Sequence, residues 1–224
     1  MIEALQGVRV LAIAAGGVHS LALSEGGEVY SCGLGYFGQL GHGDTAKQRT
    51  PRPIAVLQGV RVGAVAAGGR HSLAVSTAGR LYSFGRGAAG QLGHGDTECQ
   101  YTPLLVAALL DVRVSTVAAG ADHSLALSAG KIYSFGSGEH GRLGHGNTAA
   151  RLTPHVIAGL QGVRVCAVAV GHHTSLAITT DREAHGWGCG DDHPVGGLPN
   201  PVLGLELTGD QLVPRKYAGL CLHT

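Results

Sequence analysis

The chain repeats itself, and the length of the repeat restricts its fold more than any other feature. The string QGVRV begins at residues 6, 58 and 161 and LDVRV at 110, so successive copies lie 52, 52 and 51 residues apart. His19, His71 and His123 keep the same interval. A period near 50 residues belongs to arrays of small supersecondary units, each of which buries its apolar face only against its neighbours. The copies run over about residues 6–57, 58–109, 110–160 and 161–220, the last degenerate, and together form a single repeat domain, 1–224.

Inside a copy the pattern alternates as in a strand. In HSLALS, His19, Leu21 and Leu23 share one face and Ser20, Ala22 and Ser24 the other; His71, Leu73 and Val75 against Ser72, Ala74 and Ser76 repeat the scheme. A glycine turn (Gly26-Gly27, Gly79, Gly130) leads into EVYSCG, RLYSFG or KIYSFG, which predicts a hairpin. GVRVLAIAAG supplies a strand upstream, and TPRPIAVL or TPHVIAGL a fourth whose proline suits an edge. Four antiparallel strands per unit make a propeller blade, and the small-residue face lets neighbouring blades approach closely. The fold class is all-β.

Gly85, Gly87 and Gly90 carry the G-x-G-x-x-G spacing that cradles a pyrophosphate when a helix follows. The triplet recurs at 33/35/38 and 136/138/141, and Gln91-Leu92-Gly93-His94-Gly95-Asp96 places two further glycines where that helix has to start. These are blade turns whose glycines supply positive-φ bends. No cofactor is expected.

The stretches GGVHSLALSEGGEVYSCGLGYFGQLGHGD, GGRHSLAVSTAGRLYSFGRGAAGQLGHGD and GADHSLALSAGKIYSFGSGEHGRLGHGN, each followed by TP, closely resemble the repeat of the regulator of chromosome condensation family. The resemblance covers three clear units and a weak fourth, in which Thr174 takes the recurring histidine place and HGWGCG replaces YSFGSG. It implies a β-propeller of about seven blades. With about four blades present, the chain is expected to be a fragment, an open arc, or one part of a ring closed by homo-association, because an arc leaves an uncovered blade face at each end.

The resemblance also implies roles. The founding one is guanine-nucleotide exchange on the small GTPase Ran; other members serve as interaction domains attached to ubiquitin ligases, kinases or trafficking proteins. The plant UV-B photoreceptor resembles the repeat too, but its tryptophan places hold Gly17, Gly69, Ala121 and His172 here, so light sensing is disfavoured. A non-catalytic protein-interaction propeller is the expected function, with nucleotide exchange on a small GTPase as the alternative.

Sixteen Lys+Arg against fifteen Asp+Glu and no basic run argue against nucleic acid as a partner. The five cysteines are scattered, without a C-x-x-C pair, so neither a disulfide framework nor a zinc site is signalled, and a cytoplasmic or nuclear location is expected. The N-terminal text recurs inside the chain, which argues against a signal peptide, and no apolar run is long enough to span a membrane.

His19, His71 and His123, and likewise His42, His94 and His145, occur once per copy and are expected to be structural. His172-His173 invites a metal, but neighbours on a strand point to opposite faces and no second pair lies at ligand spacing, so no metal is expected. Asp44, Asp96 and Asn147 are expected to shape turns by bonding nearby amides. No nucleophile motif argues for catalysis. Contact residues are expected where the copies differ, in loops carrying Tyr36, Phe37, Lys47, Arg49, Arg86, Tyr101, Glu139, His140, Arg142 and Arg151.

Overall fold

A computed structural model describes residues 3–189 and 210–216. Among these residues sixteen strands form four antiparallel four-stranded meanders. Blade 1 comprises β1 (Val10–Ala15), β2 (His19–Ser24), β3 (Val29–Gly33) and β4 (Gln48–Pro53). Blade 2 comprises β5 (Val62–Ala67), β6 (His71–Ser76), β7 (Leu81–Gly85) and β8 (Gln100–Leu105). In blade 3 the strands are β9 (Thr116–Ala119), β10 (His123–Ser128), β11 (Lys131–Gly136) and β12 (Arg151–Val156). Blade 4 has β13 (Val165–Val170), β14 (Thr174–Thr179), β15 (Ala184–Gly188) and β16 (Gln211–Lys216). Among the described residues helix is limited to single 3₁₀ turns, none of them long and apolar enough to cross a membrane.

The hairpins fall where the glycines predict, with Leu23 opposite Val29 and Val75 opposite Leu81. The fourth strand starts earlier than the TP run suggests. β4 begins at Gln48, and the Ile54 that follows it leads into the 3₁₀ turn Ala55–Leu57, which delivers Leu57 to the core. Pro51 sits on this edge strand, where a missing N–H costs no ladder bond. The return of pattern at 213 is structural: Pro214 lies in β16, paired to β15. The insertion expected around 198–212 lies largely outside the described residues.

The core lies in the seams between blades. Leu21, Leu23 and Val29 of blade 1 pack with Val62, Ala74 and Phe84 of blade 2. Leu73, Val75 and Leu81 meet Val117, Ala126 and Phe135, and Leu125, Leu127 and Ile132 meet Val165, Ala177 and Trp187. Both faces of β6 and β10 are therefore buried throughout, the bulky face and the small face alike. On β1 the opposite holds: Leu11 and Ile13 are 62% and 80% exposed, and Ser20 alone among the β2 residues is exposed.

Candidate functional site

The recurring histidines build the seam. His19 Nε2 lies 2.8 Å from Ser72 Oγ, His71 Nε2 2.9 Å from Ser124 Oγ, and His123 Nε2 3.0 Å from Ser175 Oγ, each bond crossing from one blade to the next. The serine hydroxyls spend their single proton on the carbonyls of Gln39, Gln91 and Arg142. The imidazole must then donate, which fixes the neutral tautomer with hydrogen on Nε2. Nδ1 of all three is a buried acceptor with no partner among the described residues. Burial holds His19 down to about 4 and His71 and His123 to about 3, so all three are neutral at pH 7. The rings lie against glycine: a Cβ on Gly68 would stand 2.3 Å from His71 Cε1 and 2.5 Å from the Gly120 carbonyl.

The second histidine set locks each blade to its own turn. Ser31, Ser83 and Ser134 donate to the carbonyls of Leu40, Leu92 and Leu143 and accept from Nε2 of His42, His94 and His145. Asp44, Asp96 and Asn147 accept from the amide two residues on, as their turn role predicts. Gly38, at φ +83, brings the turn against the next blade, and a Cβ there would stand 2.4 Å from Tyr101 Cα. The G-x-G-x-x-G segment is thus a packing turn between blades, and both histidine sets are engaged in hydrogen bonds to seam and turn serines.

Above this constant frame the rim differs at each junction. Between blades 1 and 2, the Phe37 ring lies under two guanidinium groups, with Arg70 Cζ at 5.4 Å and Arg86 Cζ at 5.9 Å from its centroid. Tyr36 and Tyr101, 62% and 43% exposed, flank it. Between blades 2 and 3 the same level holds Ala88 and Ala89, and Arg86 Nη1 donates to Asp122 Oδ1 at 2.8 Å, joined by Gln91 Nε2 at 3.1 Å. Between blades 3 and 4 stand Glu139, His140 and His173, and His140 Nδ1 lies 3.1 Å from an Asp210 oxygen.

The structure thus gathers Tyr36, Phe37, Arg86 and Tyr101 into one patch and adds Arg70, which sequence reasoning missed. The signal was available: the residue before each recurring histidine reads Val18, Arg70, Asp122 and His173 in a frame otherwise held constant. Lys47 and Arg49 lie elsewhere, lining an open hollow of about 580 Å³ with His19 and Ser20 on the uncovered side of blade 1. Arg151 starts β12, half-buried.

Two expectations need correction. Arg142 is no rim contact: its side chain is 1% exposed, because it occupies the inward position held by the fully buried Gln39 and Gln91. Its guanidinium folds back to its own turn, with Nε donating to the Glu139 carbonyl and Nη2 to the Glu139 carboxylate. His172 and His173 do not point apart either. They occupy the bend before β14, not the strand, and His172 Nδ1 lies 2.8 Å from His173 Nε2.

A family model described as the RCC1-like domain matches residues 1–217. Among curated proteins, the chain is 39% identical over 210 residues to the ultraviolet-B receptor UVR8 of Arabidopsis thaliana, covering 93% of this chain and 46% of that protein. It is 41% identical over 218 residues to the human E3 ubiquitin-protein ligase HERC2, covering 92% of this chain and 4% of the ligase. Among solved structures, human WBSCR16 superposes with a TM-score of 0.82 at 30% identity, covering 92% of this chain and 52% of that one. Prp20p of Saccharomyces cerevisiae gives 0.76 at 28%, covering 93% and 50%. The chain therefore spans about half or less of the length of these relatives.

Proposed function

The chain belongs to the RCC1-like domain family, and from that we propose that it is a non-catalytic interaction propeller whose rim between blades 1 and 2 grips a protein partner. The observation that carries this reading is the patch of Tyr36, Phe37, Arg70, Arg86 and Tyr101. Aromatic and arginine side chains on a rigid scaffold are the composition of interface hot spots, because they bring large contact area at small entropic cost. Phe37 fixed beneath two guanidinium groups gives such a patch a preformed centre. The arginines favour a partner surface with carboxylates beside an apolar depression.

Nucleotide exchange on a small GTPase is the second reading, favoured by the likeness to Prp20p, whose structure was reported with its binding properties to Gsp1p and histones. Light sensing is set aside despite the likeness to UVR8. The chain's one tryptophan, Trp187, is fully buried in the seam and donates its indole N–H to the Arg142 carbonyl. Homo-association is part of the proposal as well, since exposed Ile13 on β1 occupies the place that Val65 and Val117 hold, packed in the seams, in blades 2 and 3.

The test pairs two assays on the 224-residue chain and its Phe37→Ala/Arg86→Glu variant. Cross-linking capture is expected to recover a defined protein that the variant loses at least tenfold, and release of labelled GDP from a panel of small GTPases is expected to stay at its intrinsic rate. Equal capture by both chains removes the interaction reading. Accelerated release from one GTPase replaces it with exchange.

A further inference from the structure

The rim between blades 3 and 4 brings together donors from three separate loops. His140 comes from the turn that follows β11, Cys189 follows β15 directly, and Asp210 precedes β16. One ligand atom from each lies within 4.8 Å of the others, and His140 Nδ1 stands 3.2 and 3.1 Å from the two Asp210 oxygens. His173 adjoins the group, its ring centroid 5.2 Å from that of His140. Its Nδ1 is buried with no hydrogen-bond partner among the described residues, which leaves that nitrogen unengaged beside the group.

The frame of the repeat shows how unlike its counterparts this cluster is. The Cys189 amide donates to the His173 carbonyl, as the Arg86 amide donates to the Arg70 carbonyl, so the backbone is in register. At the positions of Cys189, His173 and Asp210, blade 2 carries Arg86, Arg70 and Cys99, and blade 1 carries Leu34, Val18 and Lys47. Neither set offers three ligands. His140 also has φ +58, a left-handed conformation that Phe37 and Ala89 at the same place avoid.

We propose that His140, Cys189 and Asp210 bind a late first-row divalent metal ion, with zinc the expected occupant and His173 the fourth donor. Imidazole nitrogen, thiolate sulfur and carboxylate oxygen in one cluster select zinc-like ions over calcium or magnesium, which require oxygen cages. Donors meeting one zinc at about 2.0–2.3 Å lie roughly 3.3–3.8 Å apart, so the group closes by about an ångström on loading. The bound ion ties the blade 3 turn to the end of the β15–β16 pair where Gly188 faces Gln211, at the junction where Ser137 and His173 stand in place of the Arg86–Asp122 ion pair of the preceding seam.

Cobalt(II) titrated into the reduced 224-residue chain reads this directly. The expected result is one ion per chain with a thiolate-to-cobalt absorption band, displaced by zinc, abolished in Cys189→Ser and retained in Cys166→Ser, whose thiol is exposed on β13. Zinc affinity is expected to fall at least about tenfold in His140→Gln and in Asp210→Asn, since even outer-shell partners of a metal are worth that much. In the unsubstituted chain zinc is expected to slow alkylation of Cys189 at least tenfold relative to Cys166, a readout that needs no variant to fold. Absence of a thiolate band, a band that survives Cys189→Ser, or equal alkylation of the two thiols overturns the proposal.

Discussion

The buried seam and the exposed rim of this molecule are built on the same strands, yet one is copied and the other is not. At every junction the seam offers the same histidine, serine and carbonyl, spaced 2.7–3.0 Å apart. The rim, a few residues away, offers an arginine-capped phenylalanine at one junction, an Arg86–Asp122 pair at the next, and a His/Cys/Asp cluster at the third. Chemistry that a blade cannot lose without losing its neighbour is held constant, while chemistry that only a partner or an ion meets is free to vary. A repeated titratable residue is therefore weak evidence of catalysis, and its unrepeated neighbours are where recognition is to be sought.

Acid tests the seam hardest. The unfolded chain protonates each histidine near 6.5, whereas the folded seam refuses the proton until about 4 at His19 and about 3 at His71 and His123. Because the folded values are depressed, their contribution is complete above pH 6.5 and is lost as the pH falls through the window from 6.5 to 3. A urea midpoint that drops steadily from pH 7 to pH 4, with cooperative unfolding near the lower end, is the expected result. His71→Gln is expected to flatten the slope.

Gly68→Ala comes next. Its Cβ would collide with the His71 ring and the Gly120 carbonyl, both fixed, so a loss of about 3 kcal/mol or more is expected by chemical denaturation. Gly26→Ala, whose nearest contact would be 3.5 Å away at ordinary φ, is expected to be nearly neutral. Ser124→Ala leaves the His71 Nε2–H without an acceptor and is expected to cost about 1–3 kcal/mol, seen as a lowered Tm. Smallest in stability are the rim changes Tyr36→Ala and Tyr101→Ala, each expected to stay within about 1 kcal/mol while weakening partner capture. A rim change that destabilises as much as Ser124→Ala would erase the distinction between the two regions.

Most of the seam was legible in the sequence because its determinants are local and recur. The period, the hairpins, the seam and turn bonds of the two histidine sets and the turn role of Asp44, Asp96 and Asn147 follow from a pattern that three blades repeat. The rim was only half legible. Variation between copies pointed to Phe37, Arg86, Tyr101 and His140, but not to which of them meet, since His140, Cys189 and Asp210 converge only once two blades are stacked. Arg142 was misplaced although Gln39 and Gln91 in the same frame position are also polar residues turned inward: a polar residue beside a variable loop reads as exposed until its neighbours' burial is known. His172 and His173 were misread because alternation was applied to a bend that precedes the strand.

The histidine bonds of the seam all run one way. Each blade donates through its histidine to the serine of the blade after it, so the arc has a polarity, with a waiting acceptor at exposed Ser20 and a donor series that stops at Thr174. A neighbour that continues the seam at β1 presents a histidine from its own second strand to Ser20, nose to tail. Two copies meeting β1 to β1 across a two-fold axis would bring serine to serine and reproduce none of the histidine-to-serine bonds, which favours rotation in one sense for anything that extends this arc.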